Sequence, residues 1–204
     1  MCIRDSLKPS SATPLSALWL ADLFREAGLP EGVLSVVTGP SAVGDHLVSH
    51  PEIDKISFTG STEVGKHIAG IAAQNLKRCS LELGGKSAAI ILEDADVAGN
   101  AGSIVFSALM NSGQACVSQN RILAPRSRYD EVVKALVETV QLMPVGDPAA
   151  EGTVFGPLAN HKQKASVEGY IRKGVEEGAT IAYGGGQVEG CLLYTSPSPR
   201  DRTR

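Results

Sequence analysis

Aromatic side chains are scarce in this 204-residue chain: phenylalanine, tryptophan and tyrosine together make up 4% of it, with one tryptophan. Charge of one sign is also lacking, since Lys+Arg 19 against Asp+Glu 22 leaves a net charge of −3. With no basic block to follow a phosphate backbone and no arginine- or aromatic-rich strand motif, nucleic acid is not an expected partner. No uninterrupted apolar run nears the ~20 residues that a bilayer span requires. The opening Met1-Cys2-Ile3-Arg4-Asp5-Ser6 lacks the apolar stretch of a secretory signal. A soluble protein with no membrane partner is therefore expected.

Cysteine is sparse as well. Of the four, Cys2 and Cys191 fall in end segments, and Cys79 and Cys116 stand 37 residues apart with no second cysteine near either. Neither a disulfide framework nor a zinc site follows from that spacing, so a reducing, cytoplasmic setting and no metal are expected.

What is present reads as an ordinary globular balance, with 43% hydrophobic and 20% charged residues, and 22 glycines that imply many tight turns. The ends depart from it. Residues 191–204, CLLYTSPSPRDRTR, form an aperiodic Ser/Pro/Arg string expected to be disordered. Both this string and residues 1–6 resemble translated sequencing-adapter sequence and are set apart as non-native. Removing Arg4, Arg200, Arg202 and Arg204 together with Asp5 and Asp201 leaves 15 basic and 20 acidic residues, a mildly acidic remainder.

Periodicity then predicts a helix after Thr13-Pro14, with Thr13 able to cap it, Pro14 in its first turn, and Gly28 and Pro30 ending it. A buried strand follows at 33–37, a short helix near 41–49, a strand at 55–58 and a helix from Thr62 to about Ala73. Strands at 79–83 and 88–92 flank Gly84-Gly85-Lys86. A helix over 94–110, a polar loop at 111–116, a strand near 121–124, and helices near 127–142 and 160–178 come next, with a last strand at 180–183. This alternation predicts a parallel sheet covered by helices, with ligands beyond the carboxyl ends of its strands.

Three places carry chemistry. Phe58-Thr59-Gly60-Ser61-Thr62-Glu63-Val64-Gly65-Lys66 puts glycine, hydroxyls and free amides where a strand turns into a helix, a setting that serves a phosphate or simply caps the helix through Ser61 or Thr62. Cys116 lies in a glycine-flanked polar loop, suited to a nucleophile, whereas Cys79 sits within a strand-like run and reads as inert packing. Glu82 is a carboxylate inside an apolar strand: it faces a cleft or a partner, or it points to water from an edge. His46, His50, His67 and His161 have no metal-ligand spacing and read as surface residues.

Several of these motifs coincide. Leu81-Glu82-Leu83-Gly84-Gly85-Lys86-Ser87 and Gly113-Gln114-Ala115-Cys116 are similar to the glutamate and cysteine signatures of the NAD(P)-dependent aldehyde dehydrogenases, with the acid and the thiol 34 residues apart as in that family. Lys8-Pro9-Ser10, the 58–65 segment, Val145-Gly146-Asp147-Pro148 and Phe155-Gly156-Pro157-Leu158 agree in order and spacing. The resemblance covers residues 7 to about 190.

It implies an α/β, aldehyde dehydrogenase-like fold: a partial Rossmann-like cofactor domain over 7–83 and a partial α/β catalytic domain over 84–190. It further implies that Cys116 attacks an aldehyde carbon, that hydride passes to NAD or NADP, and that Glu82 activates water to release a carboxylic acid. The Cys116 backbone N–H would supply half of an oxyanion hole, and sulfur and carboxylate would converge on one cleft. Lys8, Ser11, Gly60, Ser61, Gly65 and Leu83 correspond to cofactor-binding positions. The family's upstream oxyanion asparagine, its downstream ribose-binding glutamate and its C-terminal oligomerisation strand have no counterpart here. The chain thus reads as an inactive internal fragment of a homodimeric or homotetrameric enzyme.

Ser11 stands where NAD-preferring members often carry a glutamate, which admits NADP. Other readings are a CoA-acylating aldehyde dehydrogenase, a cysteine hydrolase or acyltransferase without nicotinamide, and a non-catalytic fragment. Retention of Glu82 argues against the acylating one.

Overall fold

The computed structural model describes residues 4–186; Cys2, Cys191 and the 191–204 string lie outside them. The chain divides into two compact units after Gly84. Within the described residues no helix is long and apolar enough to cross a membrane.

The first unit runs β1 (Asp5–Leu7), α1 (Leu15–Glu26), β2 (Leu34–Val36), α2 (Ser41–Ser49), β3 (Lys55–Gly60), α3 (Thr62–Gln74) and β4 (Arg78–Leu83). Strand β1 pairs in parallel with β2, and β3 with β4, so α1 and α3 are the crossovers that parallel pairing demands. Along β3, side chains alternate: Ile56 and Phe58 face inward, where Ile56, Ile68 and Ala72 form a core lined by Val48, Ile53, Phe58 and Leu81.

Helix α3 starts where Ser61, in extended conformation, accepts the Val64 N–H on its hydroxyl at 3.3 Å. It buries Gly65, Ile68 and Ala72, at helical spacings of three and four, against the strands. Lys77 donates from Nζ to the carbonyls of Val48 (2.9 Å) and His50 (2.6 Å), closing the carboxyl end of α2.

Helix α1 is built differently. Thr13 does not cap it; Pro14 occupies the N-cap in helical geometry and no side-chain cap bond forms. None of its residues is buried, and Leu15 and Trp19 are 78% and 65% exposed.

The second unit holds β5 (Ala88–Ile90), α4 (Val97–Leu109), β6 (Arg121–Leu123), α5 (Tyr129–Gln141) and α6 (His161–Glu176). Strands β5 and β6 pair in parallel with α4 as crossover, and Arg121 ties their start by donating from its backbone N–H to the Ser87 carbonyl and from Nε to that of Lys86. Asp96 caps α4 by accepting the Gly99 N–H at 2.9 Å, and Val97, Ala101, Val105 and Ala108 form its buried stripe. The core gathers Ile91, Val97 and Val132. Arg128 pins this unit's turns, donating from Nη1 to the carbonyls of Leu92, Glu93 and Ala95, the last at 2.7 Å.

Three expectations need correction or addition. Residues 180–183 form no strand among the described residues: Ile181 and Tyr183 are half exposed, and no neighbouring strand offers its backbone groups. Asp5 and Ser6, set apart as adapter-like and given no element, lie in β1, where register with Leu34 and Ser35 supplies the pairing that their weak strand propensity does not. Among the described residues the pairing is parallel, but as three two-stranded pairs rather than one sheet.

Candidate functional site

At the carboxyl end of the β1–β2 pair, Lys8 lays its stem over α2, so close that a Cβ on Gly44 would meet the Lys8 Cδ at 3.4 Å. Its Nζ donates to the Pro9 carbonyl at 3.1 Å. Ser11 donates from its hydroxyl to the Gly39 carbonyl at 3.0 Å, drawing the segment after β1 onto the segment after β2. Lys8 and Ser11 thus share one strand end, the position where parallel α/β folds take ligands.

The β3–α3 junction is the second element. Gly60 ends β3 opposite Leu83, and a Cβ at Gly60 would stand 2.4 Å from Phe58 Cζ. One turn into α3, a Cβ at Gly65 would meet Leu83 Cδ2 at 2.5 Å, so glycine there lets the helix start settle on the end of β4. Ser61 satisfies the Val64 N–H, while those of Thr62 and Glu63 have no partner among the described residues. Exposed amides at the positive end of a 13-residue helix are a setting that can hold a phosphate.

Glu82 lies on β4 opposite Thr59 and is exposed. Cys79 is exposed too, which corrects the expectation of an inert packing residue: β4 is paired only along β3, and helix α3 covers Phe58 and Leu81 further along but not this thiol.

Cys116 is exposed in the loop between α4 and β6. The Ser118 N–H donates to the Ala115 carbonyl at 3.1 Å, placing Cys116 and Val117 on the crest of a tight turn. No partner is found for the Cys116 N–H among the described residues. Beneath the crest, Ser118 is 1% exposed and its Oγ has no hydrogen-bond partner.

Ahead of the crest come three left-handed residues, Asn111 (φ 51°), Ser112 (φ 57°) and Gly113 (φ 74°). The Ser112 hydroxyl donates to the Gly156 carbonyl at 2.8 Å, and Gln114 Oε1 accepts the Ala159 N–H at 2.9 Å. Nothing in the sequence marks Ser112 as special; Asn111 and Gly113 on either side of it are residue types that accept the left-handed region, and serine is not.

The charge shifts lie away from these residues. A hydrogen bond from Arg128 holds the Glu131 carboxyl below its ordinary range, and Glu131 in turn raises the Arg128 guanidinium.

The chain is 50% identical over 182 residues to geranial dehydrogenase of Castellaniella defragrans, covering 89% of this chain and 38% of that protein. The structure of a Mycobacterium tuberculosis aldehyde dehydrogenase complexed with NAD+ superposes with a TM-score of 0.91 at 55% identity, over 93% of this chain and 39% of that one. A Cys-to-Ala variant of aldehyde dehydrogenase C from Pseudomonas syringae, complexed with NAD+ and octanal, gives 0.89 at 44% identity, over 92% and 39%. The chain therefore spans under half the length of the proteins it matches. The family model described as Aldehyde dehydrogenase family matches residues 6–197, and with it the chain belongs to the aldehyde dehydrogenase family.

Proposed function

We propose that the protein containing this chain oxidises an aldehyde to a carboxylic acid, with Cys116 as nucleophile. The observation that carries the reading is an exposed thiol on a turn crest, beside a backbone N–H without a partner, in a chain of this family. The thiolate sulfur bonds to the aldehyde carbon, and the charge gathering on oxygen is met by the Cys116 N–H. The chemistry a bound NAD(P)+ supplies is acceptance of the hydride that leaves that carbon. Lys8 and Ser11 would hold its adenosine ribose and Gly60, Ser61 and Gly65 its phosphate end, with Leu83 a further cofactor contact. Glu82 takes a proton from the water that attacks the resulting thioester, the C–S bond breaks, and acid and thiol are released.

The test is aldehyde-dependent reduction of NAD(P)+ by the longer protein. Replacing Cys116 with serine is expected to lower kcat by at least about 10³-fold, whereas Glu82→Gln keeps a first-turnover burst and loses steady turnover. Full turnover in Cys116→Ser overturns the reading. The 204-residue chain alone is expected to form no NADH. Dimeric or tetrameric assembly of the longer protein is part of the same proposal, checked by its mass in solution.

A further inference from the structure

Two consecutive non-glycine residues in the left-handed region are costly, and such backbone persists only where surroundings impose it. Asn111 and Ser112 are such a pair. What imposes the conformation is a set of three side-chain bonds. The Ser112 hydroxyl donates to the Gly156 carbonyl at 2.8 Å, Gln114 Oε1 accepts the Ala159 N–H at 2.9 Å, and Gln114 Nε2 donates to the Asn111 carbonyl at 3.0 Å. The segment they grip is itself fixed: Val145 bridges Phe155, Gly146 donates to the Phe155 carbonyl at 3.0 Å, and Phe155 is 6% exposed. Immediately downstream, the Ala115–Ser118 turn carries Cys116 on its crest.

We infer that Ser112 and Gln114 are positioning residues for Cys116: they clamp a left-handed turn onto the Gly156–Ala159 segment and thereby fix the direction in which the sulfur and its neighbouring N–H face. The inference rests on the reading of Cys116 as nucleophile.

Three variants of the 204-residue chain test it: Ser112→Ala, Gln114→Met, which removes both amide bonds at similar volume, and Gln114→Glu, which keeps an acceptor for Ala159. Amide hydrogen exchange is read residue by residue, and alkylation of Cys116 by iodoacetamide is followed across pH with Cys79 as internal reference. Loss of the one Ser112 bond is expected to accelerate exchange at Ser118 by roughly fivefold to tenfold, and loss of both Gln114 bonds in Gln114→Met by at least as much, with α4 amides unchanged. The Cys116 alkylation profile shifts along the pH axis while that of Cys79 stays, and Gln114→Glu lies nearer the parent than Gln114→Met.

Acceleration confined to Ala159 and Gln114, with Ser118 and the alkylation profile unmoved, overturns the inference. So does uniform acceleration through α4 and α5, which marks general loss of stability. Failure of the dehydrogenase reading would show elsewhere, as a longer protein that never reduces NAD(P)+, with these exchange patterns intact.

Discussion

The turn at residues 60–65 and the turn that carries Cys116 are both tight, yet they are held by different means. In the first, two of three contacts are made by neighbours: Ser61 caps Val64 and Gly60 makes room for Phe58, while Gly65 meets Leu83 at the end of the next strand, the one paired with β3. In the second, the backbone is held by Gly156 and Ala159, 44 and 45 residues away from Ser112 and Gln114. A site built from sequence neighbours is encoded by residue types that a reader can recognise; one built by remote anchors is encoded by distances along the chain that carry no local mark.

The sharpest way to break this contrast is Gly65→Val. If the junction is as tightly packed as a Cβ 2.5 Å from Leu83 implies, the substitution costs about 2–3 kcal/mol in urea unfolding; an unchanged midpoint would mean that Leu83 yields freely. Next comes Ser11, a residue of the first unit whose anchor is nevertheless 28 residues distant, at Gly39. In the longer enzyme, Ser11→Glu puts a carboxylate where a 2′-phosphate would lie and is expected to move the NADP/NAD ratio of kcat/KM roughly tenfold toward NAD, about 1.4 kcal/mol; an unmoved ratio removes this position from cofactor choice.

Ser61→Ala removes only the helix cap and is expected to cost about 1 kcal/mol of stability, while Ser61→Gly costs a few tenths. Equal losses for both would show that the hydroxyl does more than cap.

The smallest effect belongs to the second unit. The Arg128 hydrogen bond lowers the folded-state pKa of Glu131. Its contribution is therefore present above the ordinary carboxylate range and is lost as pH falls through the lowered folded value. Glu131→Gln is expected to flatten that acid limb slightly in a pH series of melting temperatures; a steeper limb in the variant contradicts the assignment.

The same contrast explains what could be read from residue order. Helix α3 was legible because Ser61 can cap it, and α4 because apolar residues recur at helical spacing; the Asp96 cap, inside the expected 94–110 span, was not legible. Strand β1 was not, since Asp5-Ser6-Leu7 has little strand preference and takes its form from pairing with Leu34–Val36. The 180–183 run has a strand-like look but no partner among the described residues. Cys116 was legible from its polar, glycine-flanked loop, and its exposure agrees. The bond from Ser112 to Gly156 was invisible, because serine is common and nothing in either segment names the other. Glu82 reads either as facing a cleft or as an edge residue facing water; its side chain is exposed opposite Thr59, and the burst experiment with Glu82→Gln tests its chemistry.

Helix α1 carries a practical corollary. With Leu15, Leu18, Trp19, Leu20, Leu23 and Phe24 all open to solvent, this surface is a greasy handle in the test tube. Solutions of the purified chain should brighten a hydrophobic dye, stick to phenyl resins and scatter more light as salt is added, so whoever handles it should work dilute and cold.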